Sequence, residues 1–347
     1  MAMVDWETAS AVGRRFAPAG PEISPEEAAE AVESLTAAAA AAVLPVRQTT
    51  GMVADPAAHR TVVVDRPAWI DSNLDGMRLI TQSLEERMAA ERDPNSFLAG
   101  AGGKATAVQL GAMLAWVATK VLGQFEAVTE PGQPGRLLLV APNIVATERQ
   151  LDVPPQDFRM WVCLHEETHR VQFGAVPWLT DHFTSQIDEF LAGVELTNAE
   201  ALRRFGAIAA AVFQVLRGAS GASIIDAAQT DAQRAVFERM TAFMSLLEGH
   251  ADYVMDAVGP EVVPSLDQIR ARFDDRRQNP GSADGLLRRL MGMDAKLKQY
   301  TDGRRFVAGV VDQVGIDGFN QVWTSPETLP TTAEIADPGA WVRRVAT

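Results

Sequence analysis

The stretch Leu164-His165-Glu166-Glu167-Thr168-His169-Arg170-Val171-Gln172-Phe173 decides how the rest of the chain is read. Its first half contains the pattern H-E-x-x-H, from His165 to His169. Residues four apart share one face of a helix, so His165 and His169 present two imidazole nitrogens to one cation. Glu166 then stands one step round, where a carboxylate takes a proton from water at an open metal position. The residue types therefore point to zinc and to a hydrolase, most simply one acting on a peptide or small amide. Met160-Trp161-Val162-Cys163-Leu164 directly precede the pattern. They place it on a buried helix, predicted over 156–173 and ended by Pro177-Trp178. Buried histidines and glutamates need partners, and a cation supplies one.

A catalytic zinc takes three protein ligands and keeps one position open. The downstream candidates are acids, His182 and His250. The strongest is Glu248, in Glu248-Gly249-His250-Ala251-Asp252. Glu248 and Asp252 are four apart and share a face. Glu248 can ligate while Asp252 accepts a hydrogen bond from the far nitrogen of a ligating histidine. His250 sits two residues from Glu248, roughly 200° round the helix, so the two do not easily bind one ion. Glu248 is preferred as the third ligand. His250 and Tyr300 are the candidate donors to a substrate oxyanion. Asp181-His182 reads as a loop pair. Glu167 and Arg170 are charged within or beside the pattern, and are expected to face outward or to pair at a cleft rim.

The chain has 347 residues and a net charge of −14. So acidic a balance argues against nucleic acid as a partner, because phosphate contacts need a basic surface. Nearly half the residues are apolar, enough for a substantial core. The single cysteine, Cys163, excludes an intramolecular disulfide and lies in an apolar run, which predicts inert burial. No secretion signal is visible near the N-terminus, and the alanine-rich run 37–46 is too short to span a bilayer. A cytosolic protein with no membrane partner is expected.

Ser24-Pro25-Glu26-Glu27 marks a helix start, with the helix stopping near Pro45. Thr61–Val64 reads as a strand, followed by helices from Asn73 to about Asp93 and from Ala105 to Gln124. Leu137–Val140, after the turn-rich break 131–135, reads either as an ordinary core strand or as a strand that pairs with an extended substrate along its edge. Residues 191–216 read as largely helical. A further helix starts at Thr230, with the apolar stripe Val236, Met240, Phe243, Leu247, Ala251, Val254 and Val258. Gly259-Pro260 stops it. A mixed-charge surface segment follows at 270–277, a loop at 278–284, helices over 286–299 and 306–314, and a tail from Trp323 that reads mostly as loop. The fold class is α+β and predominantly helical with a small sheet. The chain reads as one domain, 1–347, with 131–135 as the one seam between an N-terminal helical part (1–130) and a metal-site part (136–347).

His165-Glu166-x-x-His169 with a distant Glu248-x-x-Ala251-Asp252 resembles the zincins whose third ligand is a glutamate. More closely, the chain resembles a zincin-like family of zinc-dependent hydrolases from actinobacteria. Further segments carry that likeness: Val176-Pro177-Trp178-Leu179, Lys298-Gln299-Tyr300-x-x-Gly303, and Trp323-x-x-Pro326-Glu327-x-Leu329-Pro330. Val4-Asp5-Trp6 and Gly13-Arg14-Arg15 are similar to the branch associated with biosynthesis of the deazaflavin coenzyme F-420. The resemblance spans nearly the whole chain and implies a zincin-like metalloprotease fold, without naming a substrate. Two alternatives share that fold. One is a non-catalytic zinc protein, and the other a degenerate, metal-free zincin; either would act as a scaffold or regulator, with a link to that coenzyme as the resemblance implies.

Overall fold

A computed structural model of the chain describes residues 4–55, 60–90, 98–130, 132–192, 231–278 and 294–346. Helix α1 (Trp6–Phe16), unanticipated from sequence, starts at Asp5, whose side chain accepts from the Thr8 amide. Helix α2 (Pro25–Thr50) starts where Ser24 predicts, closed by reciprocal bonds between Ser24 and Glu27. It does not stop at Pro45. Proline removes one amide donor and crowds the carbonyl four residues back. Here that carbonyl belongs to Ala41, which is exposed, so losing the bond does not bury an unpaired oxygen in the core. Val46 and Thr50 beyond the proline are buried, and the helix ends only at left-handed Gly51. By length and composition α2 could cross a membrane. Its stripe of Leu35, Ala39, Ala42 and Val46 is buried in the core.

Strand β1 (Arg60–Val64) leads through Asp65, which accepts from the Ala68 amide, into α3 (Arg66–Ala90). That helix begins seven residues before the expected Asn73. Helix α4 (Leu98–Val117) also ends earlier than expected, because Gly123–Glu126 forms a strand, β2. Strand β3 (Arg136–Val140) completes a three-stranded sheet in the order β1-β3-β2. β3 runs parallel to β1, with Val62 opposite Leu138, and antiparallel to β2, with Gln124 opposite Leu138. A central strand is covered on both faces, which explains the continuous apolar run Leu137–Val140. It also corrects the expectation that this strand offers an edge: both edges of β3 are taken by β1 and β2. Because β1 precedes the 131–135 turn and β3 follows it, the sheet bridges the proposed seam.

Helix α5 (Ala141–Leu151) follows β3 directly, and its Glu148 grips Arg159 through two bonds of 3.0 and 2.7 Å. Arg159 belongs to α6 (Pro155–Ala175), the helix that carries H-E-x-x-H. α6 packs against α2, β2 and α8 (Asp231–Ala257). The predicted stripe of α8 is buried from Val236 to Val254, with Val258 partly so. Each fully buried Leu or Phe of this kind contributes about 1.5–3 kcal/mol. Residues 179–192 form α7, so Asp181 and His182 lie on a helix rather than in a loop.

Helix α9 (Leu266–Gln278) includes the mixed-charge segment. Arg270, expected at the surface, is largely buried against Asp252 and Asp256. Helix α10 (Asp294–Phe319) joins what reads as two helices, with a non-helical backbone at Gly315. The tail is not mostly loop. It holds short 3-10 turns, α11 (Thr332–Ala336) and α12 (Pro338–Val345), whose Trp341 is fully buried. The expectations for 193–216, Thr230, 279–284 and 286–293 lie outside the described residues.

Two helix pairs cross with glycine at the contact. α1 meets α4 at Gly13 and Gly111, where a β-carbon on Gly111 would collide with the Ala9 carbonyl oxygen. α8 meets α10 at Gly249 and Gly303, where a β-carbon on Gly249 would run into the Gly303 carbonyl, and one on Gly303 into that of Ser245. Only residues without side chains let backbones approach so closely.

Candidate metal centre

The four-residue spacing on α6 places the two imidazoles edge to face, with Nε2 of His165 and Nε2 of His169 3.1 Å apart. Glu248, on α8, brings its Oε2 to 3.4 Å from His165 Nε2 and 3.8 Å from His169 Nε2. Among the described residues these three form a group whose ligand atoms all lie within 4.8 Å of one another. Zinc bonded at about 2.0–2.1 Å in a tetrahedral shell separates neighbouring donors by roughly 3.3 Å. The three separations bracket that value, and two imidazoles with one carboxylate are a zinc donor set, so the residues fit the ion.

Glu248 owes its place to its neighbour. Gly249 sits at the close crossing with α10, which fixes how deep this turn of α8 lies. His250, on the other side of Gly249, is fully buried between the rings of Phe319 and Trp323, at 5.1 and 5.5 Å. It does not join the donor group.

The outer nitrogens of the two histidines have different partners. His169 Nδ1 lies 2.9 Å from Gln172 Oε1. The Gln172 amide nitrogen donates to the Leu247 carbonyl at 3.0 Å and lies 3.1 Å from His250 Nδ1. His165 Nδ1 faces the Met255 sulfur at 3.2 Å. Asp252 therefore has a different direct partner from the one the sequence suggests: its carboxylate accepts from Arg270 at 2.9 Å. It acts on His165 only as a nearby charge.

Burial disfavours a proton on His165, but the hydrogen bond to Glu248 and the charges of Glu166, Glu248 and Asp252 outweigh it and raise its pKa. Burial lowers that of His169, helped by the charge of His165. His250 is driven down to about 3, by burial first and His169 second.

Glu166 is buried, and its side chain lies against the α-carbon of Gly123. A β-carbon at residue 123 would fall 2.5 Å from Glu166 Cγ. The strand alternation of β2 explains the contact. Gln124 and Glu126 point to α3, where Gln124 bonds Trp69 and Asn73 at 3.1 Å each and Glu126 pairs with Ser72 and Arg136. Gly123 and Phe125 point the other way. Phe125 stacks on Phe173 of α6 at 5.8 Å. β2 is an edge strand, with no further strand beside it among the described residues. A cavity of about 460 Å³ opens next to it, lined by Phe125, Phe173, Thr180, Asp181 and Thr184 together with residues 127–130 and 132–135.

Glu167 and Arg170 do not face outward. Both are buried and paired with each other. Cys163 is buried, and burial pushes its thiol up and out of reach of ionisation. His182 is wedged between Trp178 and Phe243, away from the donor group. Tyr300 lies on α10, and its side chain falls outside the described residues. Sequence reasoning overlooked Gln172 and Gly123. Gln172 carried a signal, since it follows His169 by three and so shares its helix face. Gly123 carried none, because its partner is distant in the chain.

A crystal structure from Chloroflexus aurantiacus, of a candidate hydrolase with a novel fold, is 29% identical and superposes with a TM-score of 0.70 over 98% of both chains. No curated protein matches this sequence. A model of zincin-like metallopeptidases matches residues 4–342. With a mostly helical fold, a small sheet and the His-His-Glu cluster, the chain belongs to the zincin-like metallopeptidase family.

Proposed function

We propose that the protein is a zinc-dependent hydrolase of peptide or small amide bonds, working in the cytosol. The observation that carries this reading is the convergence of His165 Nε2, His169 Nε2 and Glu248 Oε2 beside the Glu166 carboxylate. His165, His169 and Glu248 would hold the zinc, which when bound supplies Lewis acidity toward water and a substrate carbonyl. Three protein donors among the described residues match a catalytic site, whereas a closed structural one takes four.

Glu166 handles the proton. Its carboxylate accepts one from the attacking water and passes it to the departing nitrogen. Gly123 holds that carboxylate in place by leaving room for it. An extended substrate would lie along the outer edge of β2, the role that β3 cannot take, with a side chain entering the cavity beside Phe125 and Phe173. The neighbour's description as a candidate hydrolase agrees with this reading.

The test combines metal content and turnover. Protein purified without added metal should carry about one zinc per chain, and His165→Ala and Glu248→Ala should lose it. Glu166→Gln should keep the zinc and lower cleavage of a peptide library by roughly 10²–10⁴-fold. Zinc absent from the wild type after reconstitution would refute the metal reading, and full turnover in Glu166→Gln would refute the general base.

A further inference from the structure

The metal reading leaves open what holds the ligating imidazoles in the right tautomer. A histidine that ligates through Nε2 must carry its hydrogen on Nδ1, and a hydrogen-bond acceptor at Nδ1 enforces this. Asp252 was the expected acceptor and instead pairs with Arg270.

Gln172 fills the position for His169, and its amide can sit only one way round. Its nitrogen faces the Leu247 carbonyl at 3.0 Å, an oxygen that cannot donate. The amide nitrogen must therefore be on that side, which turns Oε1 toward His169 Nδ1 at 2.9 Å. An amide oxygen cannot donate either, so the hydrogen belongs to Nδ1. That leaves the Nε2 lone pair directed at His165 Nε2 and Glu248 Oε2. The second amide hydrogen goes to His250 Nδ1 at 3.1 Å, which must then be an acceptor. Gln172 is fully buried, so its amide is held by these protein groups rather than by bulk solvent.

We infer that Gln172 is a positioning residue, its amide locked by the Leu247 carbonyl and His250 so that His169 keeps its hydrogen on Nδ1 and offers Nε2 to the metal. The inference rests on the metal reading for its purpose, but the lock itself exists without an ion. His250 thereby gains a role as the far anchor of the lock, not as an oxyanion donor. The asymmetry with His165, whose Nδ1 faces only a thioether sulfur, makes His169 the ligand whose ring is set in advance.

The test uses the full chain, metal-free, with histidine ¹⁵N NMR and assignment through His169→Gln. The wild type should show His169 as the Nδ1–H tautomer. Gln172→Met, close in size but without an amide, should populate both tautomers and weaken zinc affinity in a chelator competition by about 10–100-fold. If Gln172→Met fails to fold, the wild-type spectrum still decides, since an Nε2–H tautomer of His169 there overturns the lock. A wild-type Nε2–H tautomer, or unchanged tautomer and affinity in Gln172→Met, also overturns it. Absence of zinc binding in the wild type would refute the metal reading alone, and the tautomers would still decide the lock.

Discussion

The two glycine crossings use the same device for different ends. At α1–α4, Gly13 and Gly111 bring two helices together in a joint with no chemistry at its centre. At α8–α10, Gly249 is flanked by Glu248 and His250, and the approach of Gly303 sets where both side chains stand. The first crossing serves packing alone. In the second, the same packing also fixes a donor atom. Displacing either crossing should cost stability, but only the second should cost metal affinity.

The charges around the two crossings give the largest expected contrast. Arg270 holds Asp252 and Asp256 beside α8, with side-chain exposures of 15%, 10% and 31%. Arg270→Ala strands the buried Asp252 carboxylate, whereas Asp256 keeps Arg304, and chemical denaturation should register a loss of about 3 kcal/mol. A loss below 1 kcal/mol would mean that the network is solvated and that this crossing is no more sheltered than the other.

Acid comes next. The unfolded chain takes a proton on His250 near its ordinary pKa of 6.5, whereas the folded chain resists until about 3. A depressed histidine pKa means that the unfolded state binds the proton first, so stability falls as pH drops through this window. The slope is about 1.4 kcal/mol per pH unit from this one group. His250→Phe should flatten that part of the profile, measured against wild type at matched zinc-free conditions. Unchanged slopes would mean that His250 is not sealed from protons.

The comparison is tested most directly by Gly111→Ala and Gly303→Ala. Each forces backbones apart and should lose about 1–3 kcal/mol. Zinc affinity should fall several-fold in Gly303→Ala and hold in Gly111→Ala. Equal affinities would show that the α8–α10 joint does not position Glu248. The smallest effect belongs to Arg14→Ala. Its pair with Asp71, near the first crossing, is 59% and 34% exposed, and its loss should cost under about 1 kcal/mol.

How much of this was readable beforehand depended on how far apart the interacting residues lie. The apolar stripe of α8 repeats at the helical period, so its face and its stop at Gly259 were legible. The His165/His169 pair, and the Glu248/Asp252 pair that singles out Glu248, lie on patterns that a single helix turn defines. Elements whose stability comes from distant contacts were not legible. β2 lacks alternating hydrophobicity because one of its faces is tied to α3 by Gln124, through Trp69, and by Glu126, through Ser72. Pro45 reads as a stop, yet burial of Val46 and Thr50 carries α2 past it. Asp252 had the right spacing for a histidine partner, and Arg270, eighteen residues on, took it instead.

The donors come from helices far apart in sequence, α6 and α8, and this gives a bound ion a mechanical meaning as well as a chemical one. A ligand that binds only the folded state adds RT ln(1 + [L]/Kd) to its stability, about 2.7 kcal/mol at a hundredfold excess over Kd. The ion would thus fasten two helices together, and its removal would loosen them. If zinc binds there, a chain without any catalysis would still gain from keeping His165, His169 and Glu248, so selection for the clasp does not require a reaction.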